Sequence, residues 1–142
     1  MEVDFLILAD FADSTTGKIT IVGGGWDQLS VAQGFPYLRS VGVGLGLGVP
    51  WDETNRRHSI RVEILNEDTQ QQVARMEGEV EAGRGPGVPA GIRQFIPIAF
   101  NVPLEFNGPG QFAVRVFVND EQKRSIAFRV VAFGPPFPQQ AL

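Results

Sequence analysis

The sequence predicts an all-β protein, a single antiparallel β-sandwich of about eight strands. Three observations carry this. Residues 41–49 read VGVGLGLGV, an aliphatic residue alternating with glycine, and residues 60–64 alternate aliphatic with charged residues. Between them Pro50-Trp51-Asp52-Glu53-Thr54-Asn55 reads as a turn. Seventeen glycines and ten prolines are scattered between the apolar runs, which leaves room for turns and none for a long helix.

Residues 3–9 (VDFLILA) are expected as a buried first strand. Residues 10–18 turn the chain, with Gly17 at the left-handed position. Ile19 and Ile21 alternate with Lys18, Thr20 and Val22, so residues 18–22 are expected to form a hairpin with the first strand. Gly23-Gly24-Gly25 follows. A phosphate-cradling turn has to open a helix, but residues 28–39 contain Gly34 and Pro36 and have no helical period. The triplet is therefore read as a bulge or sharp bend that folds Trp26 over the edge of the core.

In residues 41–49 a side-chain period of two puts Val41, Val43, Leu45, Leu47 and Val49 on one face. Gly42, Gly44, Gly46 and Gly48 leave the other face as bare backbone. Glycine weakens a strand by roughly 0.5–1 kcal/mol per site relative to alanine, so this face is expected to serve close packing. Two occupants fit: another segment of the same chain, such as the Trp26 loop or the loop at 83–91, or a second subunit or flat ligand.

Residues 58–66 form the clearest amphipathic strand, with Ile60, Val62 and Ile64 inward. In residues 76–82, Glu77, Glu79 and Glu81 make one face acidic, which predicts an edge or solvent-facing strand. Residues 83–91 (GRGPGVPAG) are a loop. Residues 92–104 alternate again, and Pro97 predicts an edge position or a bulge. The turn at 107–110 leads into Phe112, Val114, Val116 and Val118, and Ile126, Phe128 and Val130 complete a closing hairpin. Residues 104–131 resemble the last hairpin of immunoglobulin-like domains. Residues 1–132 are thus one sandwich domain, and 133–142, from Phe133 through Phe137, an extended Pro-rich tail outside it.

A hydrophobic fraction of 43% and a charged fraction of 20% are those of a soluble globular chain. A net charge of −4 with dispersed arginines argues against nucleic acid as a partner. The chain has no cysteine, which excludes disulfides, thiol catalysis and thiolate zinc sites. MEVDFLILAD has no basic leader and its apolar run is too short to span a bilayer, so no membrane association and cytoplasmic residence are expected.

The segments EVDFLILADFAD, GKITIVGGGWD and VPWDETNRRHSIRVEIL resemble a family of short bacterial proteins of unknown function. The resemblance runs over most of residues 2–131, with PWDETNRRH its most specific part. It implies a self-contained domain and brings no catalytic residue with it.

No enzyme activity, cofactor or metal site is expected. His58 is the single histidine, and Ser14, Ser30, Ser40, Ser59 and Ser125 stand in no nucleophile-elbow context. Asp10, Asp13, Asp27, Asp52, Glu53, Asn55, Asn119, Asp120 and Glu121 place oxygens in turns, but without calcium-loop spacing. The function expected is a non-enzymatic interaction or assembly module, self-associating into a homo-oligomer or larger assembly. Its candidate contact residues are Gly42, Gly44, Gly46, Gly48, Trp26, Trp51, Phe133 and Phe137. The alternative is a calcium- or carbohydrate-binding sandwich in which Trp26, Trp51 and Tyr37 form a sugar platform.

Overall fold

The computed structural model describes residues 1–132. The expected tail, with Phe133 and Phe137, lies outside the described residues. Nine strands follow one another: β1 (Glu2–Asp13), β2 (Thr20–Gly24), β3 (Gln28–Val31), β4 (Tyr37–Val49), β5 (Arg57–Asn66), β6 (Gln72–Glu81), β7 (Gln94–Phe106), β8 (Gly110–Val118) and β9 (Glu121–Ala132). A single 3-10 turn, Trp51–Glu53, is the one helical element among the described residues. No helix there is long and apolar enough to cross a membrane.

The strands form two sheets. Sheet A has the order β2-β1-β4-β7 and sheet B the order β3-β9-β8-β5-β6. The all-β expectation holds, with two corrections. The strand count is nine rather than about eight, and the pairing is not wholly antiparallel, because β3 runs parallel to β9 with Leu29 opposite Val130. The added strand is β3, four residues (QLSV) in which only Leu29 and Val31 alternate. So short a run carries almost no period, and its partner lies about a hundred residues further along the chain.

The inner faces of both sheets supply one core. Val41, Val43, Leu45, Leu47 and Val49 are all fully buried on β4, as their parity predicts. They meet Ile60, Val62 and Ile64 of β5 and Val114 and Val116 of β8 within the same cluster, apart from Val49. Pro97 lies on β7, which borders sheet A, and the acidic row lies on β6, which borders sheet B, so both edge expectations hold.

At one end the core is aromatic. Phe112 stacks on Phe128 with ring centroids 5.2 Å apart, and Phe106 meets Phe112 edge-on at the same distance. Trp26 closes this cluster, T-shaped against Phe128 at 5.9 Å. The glycine triplet makes that possible. Gly23 and Gly25 take φ of 59° and 89° as the chain leaves β2 of sheet A for β3 of sheet B.

Phe128 touches the other three aromatic rings of this end. Phe128→Ala is expected to lower unfolding stability by about 3–5 kcal/mol, measured as a shift of the urea midpoint with an unchanged slope.

Candidate functional site

The glycine ladder of β4 is covered by its own chain. All four glycines are buried. Of the two occupants that the sequence allows, the structure has the first, but the segment is neither the Trp26 loop nor the 83–91 loop. It is the hairpin of β1 and β2. β1 pairs with β4 as far as Ala9–Gly42 and then continues with β2 alone. Beyond that point its backbone passes over Gly42, where a Cβ atom would stand 2.9 Å from both Phe11 C and Ala12 N. Asn101, opposite Gly42 on β7, fastens the crossing: Ala12 N–H donates to Asn101 Oδ1 at 3.0 Å, and Asn101 Nδ2 donates to Ala12 O at 2.8 Å.

The cover continues along the strand. The side chains of Ile7, Ile19 and Ile21 lie over Gly44, and the Phe5–Phe95 pair, with centroids 6.0 Å apart, lies over Gly46. Arg93, ion-paired with Asp4, lies over Gly48. An open flat glycine surface is therefore absent, and the outer face of sheet A is instead made by the side chains on top. Ala12 and its cross-strand partner Ile21 face inward, and the next pair, Phe11 and Val22, is about half-exposed at 48% and 53%. Phe95 is 49% exposed further along the same face, over Gly46.

The family-like segment PWDETNRRH builds a corner at the far end of β4. Trp51 lies beneath the Arg84 guanidinium at 4.0 Å, and Arg84 donates to Trp51 O at 2.8 Å and to Thr54 Oγ1 at 2.6 Å. Thr54, only 4% exposed, donates from Oγ1 to Trp51 O at 2.6 Å. Asn55 takes a left-handed φ of 59°, and its N–H donates to Ala82 O at 2.7 Å. His58 is 4% exposed and has both ring nitrogens engaged. Nε2–H donates to Glu53 O at 2.8 Å, and Nδ1 accepts from Asn119 Nδ2 at 3.0 Å. This fixes one neutral tautomer. The single histidine thus ties the corner to the β8–β9 turn.

The structure does not bring Trp26 and Trp51 together. Trp26 lies near Arg39 at the start of β4, its ring centroid 5.7 Å from the guanidinium, and Trp51 follows the end of the same strand. That puts roughly 30 Å of extended chain between them. They stand at opposite ends of β4 and form no joint platform. The acidic turns are likewise dispersed: Asp10 pairs with Arg39, Asp27 with Arg129, Asp120 with Arg61, and Glu53 with the α-ammonium of Met1 at 2.6 Å. Among the described residues no three His, Cys, Asp or Glu side chains group as a metal cage.

The sequence reading missed Phe11, Val22 and Phe95. Phe95 had a signal, because β7 is apolar at both parities and Phe95, Pro97 and Ala99 fall on the face opposite Ile96 and Ile98. Phe11 had none, since its exposure depends on β1 folding across its own sheet.

A model of a family of unknown function (DUF6941) matches residues 4–131. No curated protein matches. Among solved structures, the Pseudomonas fluorescens alkylpurine DNA glycosylase AlkC, bound to DNA containing an abasic-site analogue, is similar at 18% identity over 75% of this chain with a TM-score of 0.39. The chain spans 28% of that protein's length. With the family model matching nearly its whole length, the chain belongs to this family of unknown function.

Two predictions follow from the geometry. Gly42→Ala forces a methyl group against backbone and is expected to cost about 1–3 kcal/mol. Gly78→Ala on β6, where no atom lies within 4 Å of the added carbon, is expected to be neutral or stabilising by about 0.5–1 kcal/mol; thermal melts compare the two. The Glu53 carboxyl is held below its ordinary value of 4.5, first by the hydrogen bond from the α-ammonium and against partial burial. Its ionised form thus adds stability that is fully present above 4.5 and is lost as pH falls through the lower folded value. The stability gap between wild type and Glu53→Gln is expected to persist at neutral pH and to close in acid, read by urea titrations across pH.

Proposed function

We propose that this member of the family is a non-enzymatic interaction module, resident in the cytoplasm, that self-associates through the outer face of sheet A. One observation carries the reading. Among the described residues six large hydrophobic side chains are exposed, and five of them, Phe11, Val22, Leu38, Ile92 and Phe95, lie on sheet A or just before β7. The outer face of sheet B is the opposite in character. There Arg57, Arg61 and Glu63 of β5 stand across from Glu81, Glu77 and Arg75 of β6. Arg61 pairs with Glu63 at 3.0 Å and with Asp120 at 2.6 Å while its guanidinium covers Phe117 at 4.2 Å. An apolar face bordered by charge is the usual form of a contact surface.

A second copy is the occupant that best fits the border. Asp4–Arg93 stands at the Gly48 end of the apolar strip and supplies both signs, so a two-fold partner presenting the same pair can meet opposite charges there. Both nitrogens of His58, the one histidine, are used within the fold, which supports the non-enzymatic reading.

The strand order also supports an immunoglobulin-like sandwich: β4 between β1 and β7 in one sheet, β9-β8-β5-β6 in the other, and an early strand, β3, parallel beside the last.

Phe11→Ser/Val22→Ser alters two half-exposed side chains and is expected to leave the fold intact. Light scattering on the untagged protein is expected to give a dimer or higher oligomer for wild type and a monomer for this variant. A monomeric wild type at high concentration overturns the proposal.

A further inference from the structure

We propose that the free edge of β6 accepts an extended segment of a partner protein in which basic and apolar residues alternate, adding a strand to sheet B. The surface is separate from the apolar face of sheet A, and the proposal does not depend on that face.

Four strands border the two sheets, and three of them are poor acceptors. β2 and β3 have only five and four residues. β7 carries Pro97 and Pro103 while pairing with β4 without a break. A proline keeps a ladder intact only where its nitrogen points away from the neighbour, so both prolines remove donors from the free side of β7. β6 is ten residues long, QVARMEGEVE, and contains no proline.

The hydrogen bonds of β5 identify which groups of β6 are free. Ser59 N–H donates to Asn119 Oδ1 at 3.0 Å, and Asn119 N–H donates to Ser59 O at 2.9 Å, so the backbone of Ser59 points towards β8 and its turn. Alternation then aims Ile60 and Val62 at β6, where they face Gly78 and Met76. Arg75, Glu77 and Glu79 therefore present their N–H and C=O groups outward.

The side chains say what would bind there. On the outer face of β6 stand Arg75, Glu77, Glu79 and Glu81. Arg75 pairs with Glu77, and Arg57 of β5 approaches Glu79 at 3.8 Å, which leaves three carboxylates to one arginine on β6 itself and favours a cationic row in the next strand. On the inner face Ala74, Met76 and Val80 are only half-buried. β7 borders the same side of the core, and its inward Ile96, Ile98, Phe100 and Val102 are half-buried too. Gly78 leaves open space between Met76 and Val80. A strand that only needed guarding against aggregation would have no use for this unfilled inner row. An incoming strand would place apolar side chains over Gly78 and against β7, and basic ones beside the glutamates.

The test measures fluorescence anisotropy of a labelled lysine–valine alternating peptide of β6's length, with a glutamate–valine peptide as the comparison. Wild type is expected to bind the lysine peptide, more weakly as salt rises, and not the glutamate peptide. Glu79→Pro removes one free donor and leaves the β5 ladder in place, so it is expected to weaken binding by about tenfold or more. Circular dichroism checks its fold. Glu77→Lys/Glu79→Lys is expected to reverse the preference between the peptides even if the proline variant fails to fold, and Phe95→Ser is expected to bind as wild type does. Equal binding by a folded Glu79→Pro, no peptide binding by wild type, or loss of binding in Phe95→Ser each overturns the proposal.

Discussion

The close approach of β1 to β4 at Gly42 is the constraint on which the rest of sheet A depends. Two backbones pass where any side chain would separate them, and the Asn101 amide bonds to both polar groups of Ala12 above the crossing. Because of that approach, the β1–β2 hairpin lies across its own sheet instead of extending it. It buries the weak face of a glycine-rich strand under Ile19 and Ile21 and turns Phe11 and Val22 to the surface. The energetic liability of four glycines in one strand and the apolar outer surface thus have a common origin. Packing backbone against backbone trades side-chain volume for contact area, and the displaced side chains reappear one layer further out.

The corner after β4 is organised by hydrogen bonds rather than by packing. Trp51, Thr54, Asn55 and His58 each bond to a different part of the chain: Arg84 over the ring, the carbonyl of residue 51, the carbonyl of Ala82 and the β8–β9 turn. Buried polar groups of this kind are costly unless every partner is present. The most specific part of the family resemblance is therefore occupied with holding the two sheets in relation to each other. Chemistry at this corner is limited by the same fact, because its one titratable ring has no free nitrogen.

Much of this was legible in the residues. The parity of β4 placed Val41 through Val49 in the core, Pro97 marked an edge, and the glutamate row of β6 marked another. What stayed hidden depended on contacts distant in sequence. β3 has two apolar residues and a parallel partner, neither of which leaves a period to read. The folding over of β1 is set by Asn101, 89 positions away from Ala12. Trp26 and Trp51 both sit in turns and both served as candidates for one sugar platform, and only the length of β4 between them separates their roles. A local pattern specifies which face of a strand is apolar; what covers that face is decided by chain topology.

The placement of β9 has a consequence for how the chain is made. β9 lies between β8, its immediate neighbour in sequence, and β3, from the first quarter of the chain. Until β9 has left the ribosome, β3 has no strand to pair with, and Trp26 has no Phe128 to rest on. The early strands of both sheets must therefore wait with apolar surface uncovered while the rest is synthesised. Closure of so distant a pairing is slow compared with that of a hairpin. Assembly of the core thus waits for the last strand, and the hairpins form before the sheets that they belong to are complete.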